Sequence, residues 1–296
     1  MDIGVLMLFQ NHPNLPMADY DMYKQELGVC EMAEPLGFDS IWAVEHHFTD
    51  YTLCPNPIEM LTYLAGMTDK IKLGTGAIIL PWHKDPLRVA TDIAMLDNLS
   101  DRRLLLGIGR GIGRVEYDGF GVDMNQSRGI FEESSQMILD MLETGKAKEH
   151  DGEHFKQIAR DIRPAPLPPY LDRTYVTCQS PETAEIIARL GYGMMVFAIS
   201  PWKSRAEDCR VYREAFLKHQ GREAPPVVAN VFVMVDEDGD RARELAEKYM
   251  TDYWISALAH YEMDGTHFTD VKGYEFYAKS AGMMRDRSAE SMGNLY

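Results

Sequence analysis

Short apolar, β-rich runs alternate with longer helical patterns along most of this chain, and that rhythm restricts the fold more than any other feature. Ile3 to Phe9 reads as a strand, Asp19 to Pro35 as a helix and Ser40 to Glu45 as the next strand. A helix near Ile58 to Met67, a strand Ile71 to Leu80, a helix Leu87 to Leu96, a strand Arg103 to Gly109 and a helix Arg128 to Leu142 continue the order. Strands at Tyr175 to Cys178, Met194 to Phe197 and Val227 to Val235 then alternate with helices at Glu182 to Leu190, Arg205 to His219 and Asp240 to Tyr253, which makes seven strands in all. Runs that are apolar at nearly every residue, such as Ala77 to Leu80 and Leu104 to Leu106, suit a parallel sheet covered on both faces. A β/α barrel satisfies this pattern best. The alternative is an open doubly wound sheet, whose first βα turn should carry a glycine fingerprint that Gln10-Asn11-His12-Pro13 lacks.

The rhythm breaks twice. Thr144 to Thr174 is polar and holds Pro164, Pro166, Pro168 and Pro169, so it reads as an insertion after the fourth β/α unit, not a domain boundary. The tail from His260 to Tyr296 shows no eighth strand, which leaves a single barrel domain, residues 1–296, without an evident last β/α unit. The length of 296 residues allows this, since barrels of about 250 residues are common. Forty-six acids against thirty bases give a net charge of -16, which disfavours nucleic acid and favours a small-molecule partner. No apolar run reaches the roughly 20 residues of a membrane span, and Met1-Asp2-Ile3-Gly4-Val5 lacks a basic leader, so a cytoplasmic protein is expected. Cys30, Cys54, Cys178 and Cys209 have no CxxC spacing and read as reduced thiols.

Three clusters could carry chemistry. Glu45-His46-His47-Phe48 falls at the carboxyl end of the second strand, where barrels assemble their active sites. An imidazole there can move protons, and an adjacent carboxylate can set its tautomer; a hydrogen-bonded structural histidine is the competing reading. Neighbouring strand residues face opposite ways and no HExxH accompanies them, so no metal is assigned. Gly107-Ile108-Gly109-Arg110-Gly111 lies at another strand end, where glycines let a ligand approach the backbone or simply serve a tight turn. Arg110 adds a guanidinium that could grip a phosphate or sit solvated. Ser180-Pro181-Glu182-Thr183 is a strong helix start, with an N-cap serine and proline at the first position. Its free amides suit a phosphate, although capping alone explains the residues.

Taken together, these stretches resemble the bacterial luciferase-like flavin monooxygenases, and within them the luciferase alpha subunit type. The resemblance runs through Gly37-Phe38-Asp39-Ser40-Ile41-Trp42, Glu45-His46-His47-Phe48-Thr49-Asp50 and Gly74-Thr75-Gly76-Ala77-Ile78-Ile79-Leu80-Pro81. It continues in Leu96-Asp97, Gly107 to Gly111, Phe120 to Met124, Ser127-Arg128 and Lys272-Gly273-Tyr274-Glu275-Phe276. It implies a (β/α)8 TIM barrel that takes reduced flavin mononucleotide (FMN) from a separate flavin reductase and reacts it with dioxygen. A small apolar substrate, an aldehyde, ketone, terpene or alkane, would be oxygenated through a flavin peroxide. By the same resemblance His46 is the catalytic imidazole, with His47 and Glu45 beside it. Arg110, Arg128, Ser180 and Thr183 match phosphate-binding positions, Gln179 adjoins them, and Gly109 lies by the flavin. Gly76-Ala77 matches a site where a non-prolyl cis peptide passes beneath the flavin ring. A mobile lid is implied over residues 262–288, and a homodimer through the early helices. Gly109 also stands where the luciferase alpha subunit has a reactive cysteine, which argues against light emission. Two other functions are alternatives: a deazaflavin-dependent hydride-transfer enzyme of the superfamily, against which the Glu45-His46-His47-Phe48 and Ser127-Arg128 landmarks argue, and a flavin-binding protein without catalysis, which the missing last unit suggests.

Overall fold

The computed structural model describes residues 1–11, 16–197, 202–263 and 265–279. Its parallel strands are β1 (Gly4–Met7), β2 (Ser40–Ala43), β3 (Lys72–Thr75), β4 (Ile78–Ile79), β5 (Leu104–Gly109), β6 (Thr174–Thr177), β7 (Gly193–Phe197) and β8 (Val228–Asn230). They pair in the order β1-β2-β3-β5-β6-β7-β8, with β4 on β5 as the continuation of β3. All of these pairs are parallel, with registers such as Leu6↔Trp42, Trp42↔Gly74 and Val176↔Ile108. The sheet is a nearly closed barrel. Among the described residues no strand joins β8 to β1.

The helices between them are α1 (Asp19–Ala33), α2 (Pro57–Ala65), α3 (Pro86–Leu99), α4 (Arg114–Phe120), α5 (Ser127–Thr144), α6 (Pro181–Leu190), α7 (Trp202–Gln220) and α8 (Gly239–Tyr261). Local chemistry starts several of them. Asn56 Oδ1 accepts from the amides of Ile58 and Glu59 at 3.0 and 3.1 Å, Asp85 Oδ1 caps Leu87, and each cap is followed by proline at the first helical position. Every residue of β2 is buried, as a strand covered on both faces requires. The main core lies between sheet and helices, and a second apolar cluster, with Ala77, Trp82, Tyr117, Phe268 and Tyr274, stands over the carboxyl ends of the strands.

Several boundaries differ from the sequence reading. The single strand expected over Ile71 to Leu80 is two, because Gly76, joined to Ala77 by a cis peptide, donates to Ala43 O at 2.7 Å and Ile79 donates to the Glu45 side chain. The strand expected over Val227 to Val235 stops at Asn230, which is where its pairing with Phe197, the last residue of β7, stops. Val231 to Val235 are exposed instead. The last helix runs eight residues past Tyr253, to Tyr261, and α4 was not foreseen. Within 144–174 two short antiparallel pairs form, Lys146–Ala147 with Arg160–Asp161 and His150–Asp151 with Lys156–Gln157. All four cysteines are free and buried, and burial pushes the Cys30, Cys54 and Cys178 thiols up to about 12.

Candidate active site

Glu45, His46 and His47 leave the carboxyl end of β2 in alternating directions, so the two histidines meet different carboxylates. Glu45 is fully buried and accepts from Trp82 Nε1 at 2.6 Å, Ile79 N at 2.8 Å, His83 Nε2 at 3.1 Å and His47 Nε2 at 3.2 Å. Burial raises its pKa, but the bonds from His47, His83 and Ile79 outweigh burial and hold the carboxyl below its ordinary value. Burial lowers the pKa of His83, and its bond to Glu45 more than offsets that, leaving it raised. Glu45 thus ties the end of β2 to the turn after β4 rather than orienting His46.

The partner of His46 comes from α4. Its Nδ1 lies 3.1 Å from Glu116 Oε1, which also accepts the His47 amide at 2.9 Å. An ionised carboxylate only accepts, so Nδ1 carries the proton and Nε2 is left with a lone pair, 3.1 Å from the Tyr261 hydroxyl. Burial raises the Glu116 pKa, but His260 and His46 together hold it down at about 2. His260, from the last turn of α8, is buried, with Nδ1 2.7 Å from Thr49 Oγ1; burial lowers its pKa. The rings of Tyr51, His260 and Tyr261 close around His46, with centroids 5.0 to 5.6 Å away.

The phosphate candidates meet on the same face. Arg110 Nη2 donates to Gly273 O at 2.7 Å and its guanidinium lies 4.1 Å over the Tyr274 ring, while Nη1 is buried without a hydrogen-bond partner among the described residues. Arg128, in the first turn of α5, pairs with Glu182 in the first turn of α6. A Cβ on Gly273, where φ is +83°, would meet Arg110 Nη1 at 2.8 Å and Arg128 Nε at 2.9 Å, so glycine lets both guanidinium groups converge. Ser180 caps α6: its Oγ accepts from the Thr183 amide at 3.3 Å and lies 3.0 Å from Thr183 Oγ1. Gln179 instead turns to α7, its Oε1 accepting from Arg205 Nη1 at 3.2 Å. Gly109 pairs with Ile79, and a Cβ there would meet Ile79 Cδ1 and Thr177 Oγ1 at 2.9 Å, so close strand packing favours glycine at this position. Residues 265–279 roof the strand ends, with the Tyr274 hydroxyl donating to Gly111 O at 2.8 Å; residues 280–288 of the expected lid lie outside the described residues.

Sequence reasoning missed Glu116, His260, Tyr261 and His83. Glu116 carried one readable signal, an acid in the first turn of a short segment between Gly113 and Gly121. His260 is 211 positions from Thr49 and Tyr261 is 215 from His46, and only the fold brings them to the site.

A parallel barrel with an acid–base cluster and a cationic rim at the carboxyl ends of its strands has the arrangement of a barrel enzyme. The chain belongs to the luciferase-like monooxygenases, whose family model matches residues 1–293. It is 30% identical over 288 residues to the alkanal monooxygenase alpha chain of Photorhabdus luminescens, covering 97% of this chain and 78% of that one. It is 32% identical over 235 residues to the 5,10-methylenetetrahydromethanopterin reductase of Archaeoglobus fulgidus, covering 77% of this chain and 65% of the other. The crystal structure of monooxygenase RslO1 from Streptomyces bottropensis superposes with a TM-score of 0.77 at 26% identity, over 90% of this chain and 82% of that one. The fold is shared with the oxygenating constituent of 3,6-diketocamphane monooxygenase of Pseudomonas putida, solved with FMN, at a TM-score of 0.75 and 19% identity, over 100% and 83% of the two chains.

Proposed function

We propose that this protein is a two-component monooxygenase that uses reduced FMN from a separate flavin reductase, and dioxygen, to oxygenate a small apolar substrate such as an aldehyde, ketone, terpene or alkane. The observation that carries this reading is His46, held by a buried carboxylate with its Nε2 lone pair turned inward beneath an aromatic roof. The residues fit the cofactor. Arg110 has a buried Nη1 in need of a partner, and with Arg128 and the hydroxyls and positive dipole end at Ser180–Thr183 of α6 it offers the charge and donors that suit a phosphate. Gly76, Ala77 and Gly109 would flank the ring, with Gln179 at the rim. Bound reduced FMN would supply the electrons that activate dioxygen.

The chain's own residues do the rest. His46 Nε2 takes or returns a proton, Glu116 stabilises the imidazolium, and Tyr261 offers a hydroxyl through which the proton passes. Trp82, Tyr117 and Tyr274 keep water out, and the segment from residue 262 serves as the lid. Among the described residues no helix is long and apolar enough to cross a membrane. The exposed Met32, Leu36, Tyr63 and Met95, on or beside α1, α2 and α3, support a homodimer through these helices.

The test is to bind photoreduced FMN anaerobically, admit oxygen and follow the absorption spectrum. The bound flavin should regain its oxidised spectrum more slowly than free reduced FMN, and labelled dioxygen should appear in the product of an apolar substrate. Tight binding with prompt reoxidation and no labelled product would point to flavin binding without catalysis. The archaeal reductase relative favours one second reading, hydride transfer with a deazaflavin. Turnover that requires reduced deazaflavin and no oxygen would establish it.

A further inference from the structure

Glu116 stands between two imidazoles that reach it from β2 and α8. His46 Nδ1 is 3.1 Å and His260 Nε2 3.6 Å from Glu116 Oε1, and the three groups offer ligand atoms within 4.8 Å of one another. A tetrahedral ion bound at about 2.0–2.1 Å would hold its ligand atoms roughly 3.3–3.4 Å apart. The two measured separations straddle that spacing.

The remaining atoms of the cluster are arranged as an outer shell. His46 Nε2 faces the Tyr261 hydroxyl at 3.1 Å and His260 Nδ1 faces Thr49 Oγ1 at 2.7 Å, while the ligand oxygen itself, Glu116 Oε1, is fixed by the His47 amide at 2.9 Å. Metal-binding imidazoles use the second nitrogen in this way, which fixes the ring and the tautomer. The same distances leave one atom poorly met: His260 Nε2 is buried, and its contact with Glu116 Oε1, at 3.6 Å, is longer than a hydrogen bond, which is costly for a buried polar nitrogen unless something else meets it. The pair set aside from sequence, His46 with His47, indeed diverges; the third ligand comes from α8.

We infer that His46, Glu116 and His260 bind one divalent transition-metal ion of the zinc class. Two imidazoles with one carboxylate suit zinc and its neighbours, whereas magnesium and calcium prefer all-oxygen sets. Three protein ligands leave one tetrahedral position for water. Occupancy engages His46 Nδ1, so the metal-bound protein has lost the His46–Glu116 couple on which the proposed proton transfer rests. The site itself stands on its own geometry.

The experiment uses the metal-free full chain without flavin. Zinc is titrated calorimetrically, cobalt is followed by its visible absorption, and the zinc complex is characterised by X-ray absorption. One equivalent should bind with a Kd at or below about 1 μM, the cobalt spectrum should be that of a four-coordinate ion, and two imidazoles should appear in the scattering. His260→Gln and Glu116→Gln should each weaken zinc at least ~10-fold, and magnesium should not compete. Binding no tighter than about 100 μM, binding unchanged in both variants, or a wild-type complex without imidazole scattering would overturn the inference. The wild-type spectra identify the ligands even if a variant fails to fold. Because neither flavin nor turnover is involved, failure here leaves the oxygenase reading intact, and failure of flavin to bind leaves this site intact.

Discussion

His46 and Glu116 form the couple on which the proposed chemistry turns, and each makes a separate prediction. Replacing His46 with Ala removes the Nε2 base while leaving Arg110, Arg128 and the end of α6 in place. Turnover should fall by about 10²–10⁴-fold, with affinity for reduced FMN unchanged; a variant of undiminished turnover would remove His46 from the mechanism. Glu116 is held at about 2, below the ordinary 4.5. A lowered carboxyl stabilises the fold above the unfolded value and loses that contribution as pH falls towards the folded one. The stability advantage of the native chain over Glu116→Gln should therefore be full above about pH 5 and shrink towards pH 2 in denaturant titrations. His260 acts in the same sense. Its lowered pKa means that below 6.5 the unfolded chain takes up a proton that the fold resists. Glu45 and His47 were legible in the sequence as neighbours of His46, but strand alternation assigns Glu45 to His47 and His83.

At the scale of elements, the barrel depends on how the segments that lead into its strands are tied down. Asp97, near the end of α3, is fully buried and accepts from Arg173 Nη1 at 2.6 Å and Nη2 at 2.7 Å; Arg173 also donates to Leu104 O, Leu167 O and Pro169 O. This bidentate pair joins α3 to the segment that returns from residues 144–174 into β6. Asp97→Ala leaves a largely buried guanidinium without its counter-charge and should cost about 3–5 kcal/mol, read as a lower urea midpoint at an unchanged slope. A loss under about 1 kcal/mol would mean that the carbonyls alone hold Arg173. Leu96-Asp97 was visible as a family landmark, yet its partner was not, because Arg173 sits 76 positions away in a stretch that read only as polar and proline-rich. Helix α8 shows the same limit. Its N-cap Asp238 is local and readable, whereas its last two turns are held by burial of Ala257 and His260 against the site.

For the whole molecule, the successive helices α1, α2 and α3 leave Met32 52% and Tyr63 58% exposed, an apolar surface that the dimer proposal covers. Met32→Glu with Tyr63→Glu should convert a dimer to monomer in sedimentation equilibrium while the proposed flavin site, at the carboxyl ends of the strands, keeps its affinity. A native chain that sediments as a monomer would end the proposal. The sequence by itself determined the class of fold, because apolar runs of strand length alternating with helical ones can be buried only in a parallel sheet wrapped in helices. It also marked the candidate site's local parts, since the adjacent histidines and the capped start of α6 depend on neighbours in the chain. The tertiary structure alone decided which carboxylate serves which histidine, that α8 brings His260 and Tyr261 to His46, and that Gly273 draws Arg110 and Arg128 together. Those pairings join residues up to 215 positions apart, and no local periodicity or spacing encodes a contact made only when the barrel's strand ends are gathered on one face.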